Sequence, residues 1–267
     1  LNPQDVDGWD YMGEIYASLN NTNEAASCYQ RVLKIAPYRS KNRLSLAIQL
    51  IKLNQLDEAK TLIKEEIKKF GYNSETFCLL AKVNVEQNNY QEAANALDLV
   101  KTQYPETINS WEWTIEALGK LQDTSRLKSL YKTTGAIKLV SDREWVRTRL
   151  VTELASLESQ QRPKHEIINE FLKNEPENRL LHYALASELE RVGHLSSAIE
   201  KFEQVASNRN TYTHVKANAW FRLARLTSPP RREKCLKNCL KLASNHAGAK
   251  KLLLETKNTK TSDTQLI

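Results

Sequence analysis

The sequence predicts an all-α fold, a right-handed superhelix (α-solenoid) of about seven helix-turn-helix units, and three observations carry that expectation. Ala25, Ala59 and Ala93 recur at intervals of 34 residues. Trp9, Trp111 and Trp145 keep the same period, with Phe77 at twice the interval from Trp9. Pro37 and Pro105, with Gly71 and Gly248 in the equivalent place, stand where a second helix has to end. Proline clashes with a helix interior, and glycine accepts the backbone geometry that closes one.

The period sets the elements in order. With Trp9 as position 4 of its unit, the first four units fall at 6–39, 40–73, 74–107 and 108–141. A small residue at position 8 (Gly13, Ala47, Ala81) and another at position 20 (Ala25, Ala59, Ala93) let paired helices approach closely, while larger apolar residues fill the space around them. Turns are expected at Asn20-Asn21, Asn54-Gln55, Asn88-Asn89 and near Gln122-Asp123, residue types that suit turn and cap geometry. A fifth unit, 142–178, has Trp145 in phase but Pro176 three residues late, which places an insertion around 159–163. A sixth follows at 179–212 with Ala186, Ala198, Phe202 and Val205. An extended connection over about 208–215 leads to a seventh at 217–248, with Trp220, Ala224 and a turn at Ser228-Pro229-Pro230. Residues 249–257 are expected to form the polar capping helix that stacked repeats need, and 258–267 have the composition of a disordered tail. Residues 1–257 thus read as a single superhelix, weakest at the fourth and fifth units, where Leu127 and Lys164 replace the alanine of position 20.

Trp9, Met12-Gly13, Tyr16, Ala25, Tyr29 and Pro37 match W-x2-L-G-x2-Y, A-x3-F, P in order and spacing, and on these residues the chain resembles the tetratricopeptide repeat (TPR) family. The resemblance implies a protein–protein interaction scaffold that binds a peptide or protein segment in a concave groove. In that family the first helix of each unit lines the groove through positions 2, 5, 9 and 12. Carried over residue by residue, the lining is Asp7, Asp10 and Glu14, then Lys41, Leu44 and Ile48, then Glu75, Cys78 and Lys82. It continues through Asn109, Glu112 and Glu116, through Arg143, Val146 and Leu150, through Leu180, Tyr183 and Ser187, and ends at Asn218, Phe221 and Arg225. Arg147 lies one helical turn from Arg143 and offers a second contact for an anion. Capture of a chaperone C-terminal tail is not expected, because Asp10 and Glu14 stand where that subfamily carries Lys and Asn and would repel a carboxylate. The asparagine ladder of the sugar-transferring relatives is absent as well, position 6 being Tyr11, Ser45, Leu79 and Trp113 in the first four units.

Two alternatives stay open. The chain could be the substrate-recruiting arm of a larger enzyme. It could also be an RNA-processing scaffold, since residues 185–203 resemble the half-a-TPR variant of such proteins. Charge bears on the second reading: of the formal net charge of +7, residues from 211 onward contribute 12 Lys/Arg against 3 Asp/Glu, while residues 1–210 are slightly acidic. Arg231, Arg232, Lys234, Lys237 and Lys241 populate one helix without interleaved aromatics to stack on bases, so nucleic acid ranks below protein as a partner.

No enzyme activity, cofactor or metal is expected. The histidines sit in no nucleophile motif, the few glycines form no phosphate loop, and His182 occupies the aromatic position 4 as a packing residue. Cys235 and Cys239, one turn apart near His246, lack the four ligands of a structural zinc site. The four cysteines have no framework spacing and read as reduced packing residues, which points to a reducing, cytoplasmic compartment. No run approaches the roughly 20 apolar residues of a membrane span, and the start lacks a signal-peptide pattern. Leu1 in place of an initiator Met suggests a processed fragment with room for flanking domains.

Overall fold

The computed structural model describes residues 4–104 and 106–264. These form 15 α-helices, with no strand among the described residues. Pro105, read above as a helix terminator, lies outside the described residues. The chain divides into two compact units, 1–139 and 140–267.

The N-terminal unit holds four helix pairs: α1 (Val6–Ser18) with α2 (Thr22–Ile35), α3 (Ser40–Lys52) with α4 (Leu56–Phe70), α5 (Ser74–Glu86) with α6 (Tyr90–Gln103), and α7 (Ile108–Lys120) with α8 (Thr124–Thr133). The first three pairs meet on small residues. Ala25, Ala47, Ala59, Ala81 and Ala93 are fully buried, and a Cβ placed on Gly13 would lie 2.6 Å from the Tyr29 ring. Leu127, at the position where other units have alanine, is buried too.

The turns repeat with the period. Asn20, Asn54, Asn88 and Gln122, each 34 residues from the next, are left-handed at φ 58°, 61°, 61° and 55°. The following residue donates back to the last turn of the first helix: Asn21 to Tyr16 (2.9 Å), Gln55 to Leu50 (2.8 Å), Asn89 to Asn84 (2.7 Å) and Asp123 to Leu118 (2.9 Å). This closure satisfies carbonyls that would otherwise be left without donors at a helix end. Asparagine serves there because it tolerates the left-handed region better than other side chains.

The C-terminal unit comprises α9 (Val140–Leu157), α10 (Lys164–Asn174), α11 (Arg179–Arg191), α12 (Leu195–Ser207), α13 (Thr213–Leu226), α14 (Pro229–Leu242) and α15 (Ala247–Thr264). Its turns differ from one another. α9 runs straight through the turn position, and the segment expected to hold an insertion is a 3-10 turn at Glu158–Gln160 followed by Pro163 as the N-cap of α10. α11 closes as the N-terminal pairs do, on Gly193 at φ 85°, with His194 donating to Leu189 at 2.9 Å. α13 begins at Thr213, so the connection expected over about 208–215 is shorter, and its N-cap Tyr212 is pinned by hydrogen bonds to Glu144 and Arg179.

Pro229 and Pro230 are the first residues of α14 rather than a turn before it, since the first helical turn has no use for the missing N–H. The Arg232 guanidinium then donates to the carbonyls of Ala224 and Thr227, both at 3.2 Å, and caps α13. α15 outruns the expected capping helix and continues through Thr264 into the segment read as a disordered tail. No Gly or Pro follows Gly248 to stop it. Residues 265–267 of that tail lie outside the described residues.

Candidate partner-binding groove

Position 5 of the groove register mixes charged and core residues. Leu44, Cys78 and Val146 are buried there, as is Leu150 at position 9, so these four pack between helices and face no ligand. Burial pushes the Cys78 thiol up to about 11.

The acidic start of the register is matched by the next first helix and its leading residue. Asp7 pairs with Arg39 at 2.6 Å, Glu14 with Lys41 at 2.5 Å, and Asp10 accepts from Asn42 Nδ2 at 2.7 Å. Hydrogen bonding to Glu14 holds the Lys41 ammonium above its ordinary pKa. Asp10 and Glu14 thereby act as rungs between α1 and α3. Lys82 and Glu112 are half-buried and Glu116 is exposed.

In the C-terminal unit, Arg147 forms a 2.6 Å ion pair with Glu175, and Arg143 beside it is half-buried. Phe221 packs against His246 at 4.6 Å between ring centroids and meets Gly248, where a Cβ would come within 2.9 Å of the ring. Arg225 is exposed.

Tyr183 and Ser187 come together on the wall of a cavity of about 670 Å³ bounded by α9, α10, α11 and Arg222 of α13. Ala155, Ile168 and Ala184 give it an apolar floor, and Tyr183 is fixed from behind by an edge-on contact with Phe202 at 5.7 Å. Its rim is charged. Arg222 reaches Glu190 at 3.2 Å, Arg191 clasps Glu188 at 2.6 Å, and Lys164 donates to Ser156 Oγ at 3.1 Å. The Arg191 hydrogen bond, against opposing desolvation, holds the Glu188 carboxyl below its usual range. The Ser187 hydroxyl is buried in this wall with no hydrogen-bond partner among the described residues. The arrangement can hold an apolar side chain while its polar neighbours meet hydroxyls and charge.

Two charged constellations escaped the sequence reading. Arg43 occupies position 4 of its unit, where others have Trp, Phe or His, and is buried against Glu66 at 2.6 Å. It also donates to the Pro37 carbonyl, while Ser40 donates to Glu66. The register itself held the signal, because Glu66 stands at position 27, where Val32 and Val205 are buried in their own units. The second is a clasp in the C-terminal unit: Arg179 donates to Glu144 from Nη2 at 2.8 Å and from Nε at 3.1 Å, while Tyr212 Oη donates to Glu144 at 3.1 Å. The Arg179 guanidinium also lies 4.4 Å from the centre of the Tyr212 ring. Its three members are too far apart in sequence for any local pattern to join them.

Among the described residues, no group of three His, Cys, Asp or Glu side chains converges to hold a metal ion, and no helix is long and apolar enough to cross a membrane. All four cysteines are free and buried.

The geometry defines a class first: an all-α protein built of helix pairs joined by short turns. Residues 1–111 match the family model described as the TPR domain of cytochrome c-type biogenesis protein H, a match to less than half of the chain. A tetratricopeptide repeat protein from Parabacteroides merdae superposes with a TM-score of 0.51 at 14% identity, over 95% of this chain and 99% of that one. The MamA protein superposes with a TM-score of 0.52 at 12% identity, over 78% of this chain and 97% of that one. At these identities the structural likenesses establish the fold alone. No curated protein matches the sequence significantly. Residues 1–111 are thus similar to the tetratricopeptide repeat family, and the chain shares the fold of tetratricopeptide repeat proteins.

Proposed function

We propose that the chain is an interaction scaffold that holds a segment of a partner protein in the cavity walled by Tyr183 and Ser187. One observation carries the reading: two residues that the family register points into the groove line a cavity of about 670 Å³, beside an apolar floor and a charged rim. A peptide supplying one apolar side chain for the floor and a hydrogen-bond acceptor for the buried Ser187 hydroxyl would satisfy both. The reading needs no catalytic group from this chain, and it holds equally for a free-standing scaffold and for the recruiting arm of a larger enzyme.

The nucleic-acid alternative loses ground on geometry. Arg231 is paired with Glu203, Arg232 caps α13, and Lys237 pairs with Glu233 at 2.8 Å, so much of the basic helix is already engaged. A cytoplasmic setting remains the expectation from the reduced cysteines, beside a family model whose description concerns cytochrome c biogenesis.

Ser187→Arg would fill the cavity from its own wall. Affinity capture with quantitative mass spectrometry, comparing the wild-type chain with this variant at equal helical content, should show specific partners lost from the variant. Partners retained at wild-type level would move the site elsewhere.

A further inference from the structure

The cavity beside Tyr183 and Ser187 lies where the repeat departs from its own pattern. Ala25, Ala59, Ala93 and Ala198, at position 20 of their units, are fully buried and close their helix pairs. Lys164 holds that position in the pair of α9 and α10, is half-buried, and lines the cavity instead. It is also the first residue of α10, the end at which a helix dipole disfavours a cation. Helix stability therefore gives no reason for a lysine there.

Which polar groups around the cavity are already committed decides what it can take. Both arginines are spent on carboxylates: Arg191 clasps Glu188 from Nε at 2.9 Å and from Nη2 at 2.6 Å, and Arg222 Nη1 lies 3.4 and 3.2 Å from the two oxygens of Glu190. Glu190 Oε2 is left without a hydrogen bond, but Arg222 covers its charge. The hydroxyl protons of Thr152 and Ser156 go to their own helix, to the carbonyls of Arg149 at 3.0 Å and Thr152 at 2.9 Å. Lys164 uses one of its three N–H groups on Ser156 Oγ at 3.1 Å and forms no ion pair among the described residues. Its charge only adds, behind the Arg191 hydrogen bond, to what holds the Glu188 carboxyl low. The Ser187 hydroxyl, its oxygen buried, makes no hydrogen bond among the described residues. What stays uncommitted at Lys164 and Ser187 is donor, and an ionised carboxylate, which only accepts, satisfies both.

We propose, resting on the reading of this cavity as the partner site, that Lys164 and Ser187 make it selective for a protein segment carrying an internal Asp or Glu beside its apolar anchor. The apolar side chain fills the floor of Ala155, Ile168 and Ala184, and the carboxylate meets the ammonium and the hydroxyl. A basic segment would find Glu188 and Glu190 already occupied by arginine. The charged component of the contact weakens as salt rises.

Random peptides displayed on phage and selected on the full chain supply the probe. Enriched sequences are then made as fluorescein-labelled peptides with amidated C-termini, so that no chain-end carboxylate takes part, and their binding is read by fluorescence anisotropy. They should share an Asp or Glu close to an apolar residue. Changing that acidic residue to Lys should weaken binding to the wild-type chain about tenfold or more. Lys164→Glu should reverse the preference, binding the lysine-bearing peptide better than the acidic one. Ser187→Trp, which fills the cavity without adding charge, should lose both, each variant being checked for unchanged helical content. Peptides that Ser187→Trp loses, but that share no acidic residue and do not respond to Lys164→Glu, would overturn the acidic preference while leaving the cavity as the partner site. Enrichment of basic residues would overturn it in favour of contacts to Glu190. No enrichment, or peptides that Ser187→Trp binds as well as the wild-type chain does, would overturn the partner site and the preference together.

Discussion

The turn inside a helix pair is made one way four times in residues 1–139 and in three different ways in residues 140–267. The first region repeats a left-handed Asn or Gln at every period, whereas the second uses Gly193 once, a 3-10 turn with Pro163 once, and Pro229-Pro230 opening α14 once. Yet Ala186, Ala198 and Ala224 of the second region are as fully buried as Ala47, Ala59 and Ala81 of the first. Close approach of helices is what the repeat demands; the route of the connection is free as long as its carbonyls and N–H groups are satisfied. The same contrast appears in the charged pairs. Arg43–Glu66 sits in the core of the regular region in place of an aromatic and an apolar residue, while Glu144–Arg179–Tyr212 clasps an irregular connection at its partly wet edge.

The largest effect should separate these two pairs. Glu66→Ala leaves the buried Arg43 uncompensated and should cost about 3–5 kcal/mol in denaturant unfolding, whereas Arg43→Trp combined with Glu66→Val should recover most of that loss or exceed the parent. Arg179→Ala should cost less, about 1–3 kcal/mol, because water reaches the groups it abandons. Equal losses at the two sites would erase the distinction drawn between them.

Overpacking comes next. Ala59→Leu drives extra methylenes into a close helix contact and should destabilise by about 1–3 kcal/mol, visible as a lower Tm. A variant melting like the parent would show that the small residue is not required there.

Turn chemistry ranks third. Asn54→Ala and Gly193→Ala should each cost about 1–2 kcal/mol, the penalty of a left-handed alanine, while Asn54→Gly should melt at or near the parent temperature. Gln160→Ala in the 3-10 turn should stay within about 0.5 kcal/mol, as an exposed residue with no conformational demand. A large loss at Gln160 would mean the two regions do not differ in the way described.

The smallest effect concerns pH. Because the folded Glu188 carboxyl binds its proton less tightly than the unfolded one, its contribution is complete above the unfolded value of about 4. It is lost as pH falls through the lower folded value. Arg191 is exposed, so the contribution stays below about 1 kcal/mol. Comparing unfolding free energies of the parent and Glu188→Gln at neutral pH and below pH 3 should show the difference shrinking in acid.

Much of this molecule is written at short range. The 34-residue period, the small residues at positions 8 and 20 and the Asn turns appear as residue types at fixed spacing, because helix pairing acts through the same few positions in every unit. The sequence by itself therefore determined the helices, their pairing and the turn residues of the first region. α15 runs past the end that its composition suggests, since polar composition disfavours a core without breaking a helix.

What only the tertiary structure decided is which side of a groove position each residue takes. Leu44, Cys78 and Val146 share a register number with Asp10 and Tyr183, yet they are buried, and Asp10 is occupied by Asn42. The cavity at Tyr183 and Ser187 combines side chains from four helices, and the Glu144–Arg179–Tyr212 clasp joins three elements, so neither exists until those helices stack. Local spacing specifies elements because backbone hydrogen bonds and helical periodicity are short-range. Burial and ion pairing depend on neighbours distant in the chain, and only the folded stack brings those within reach.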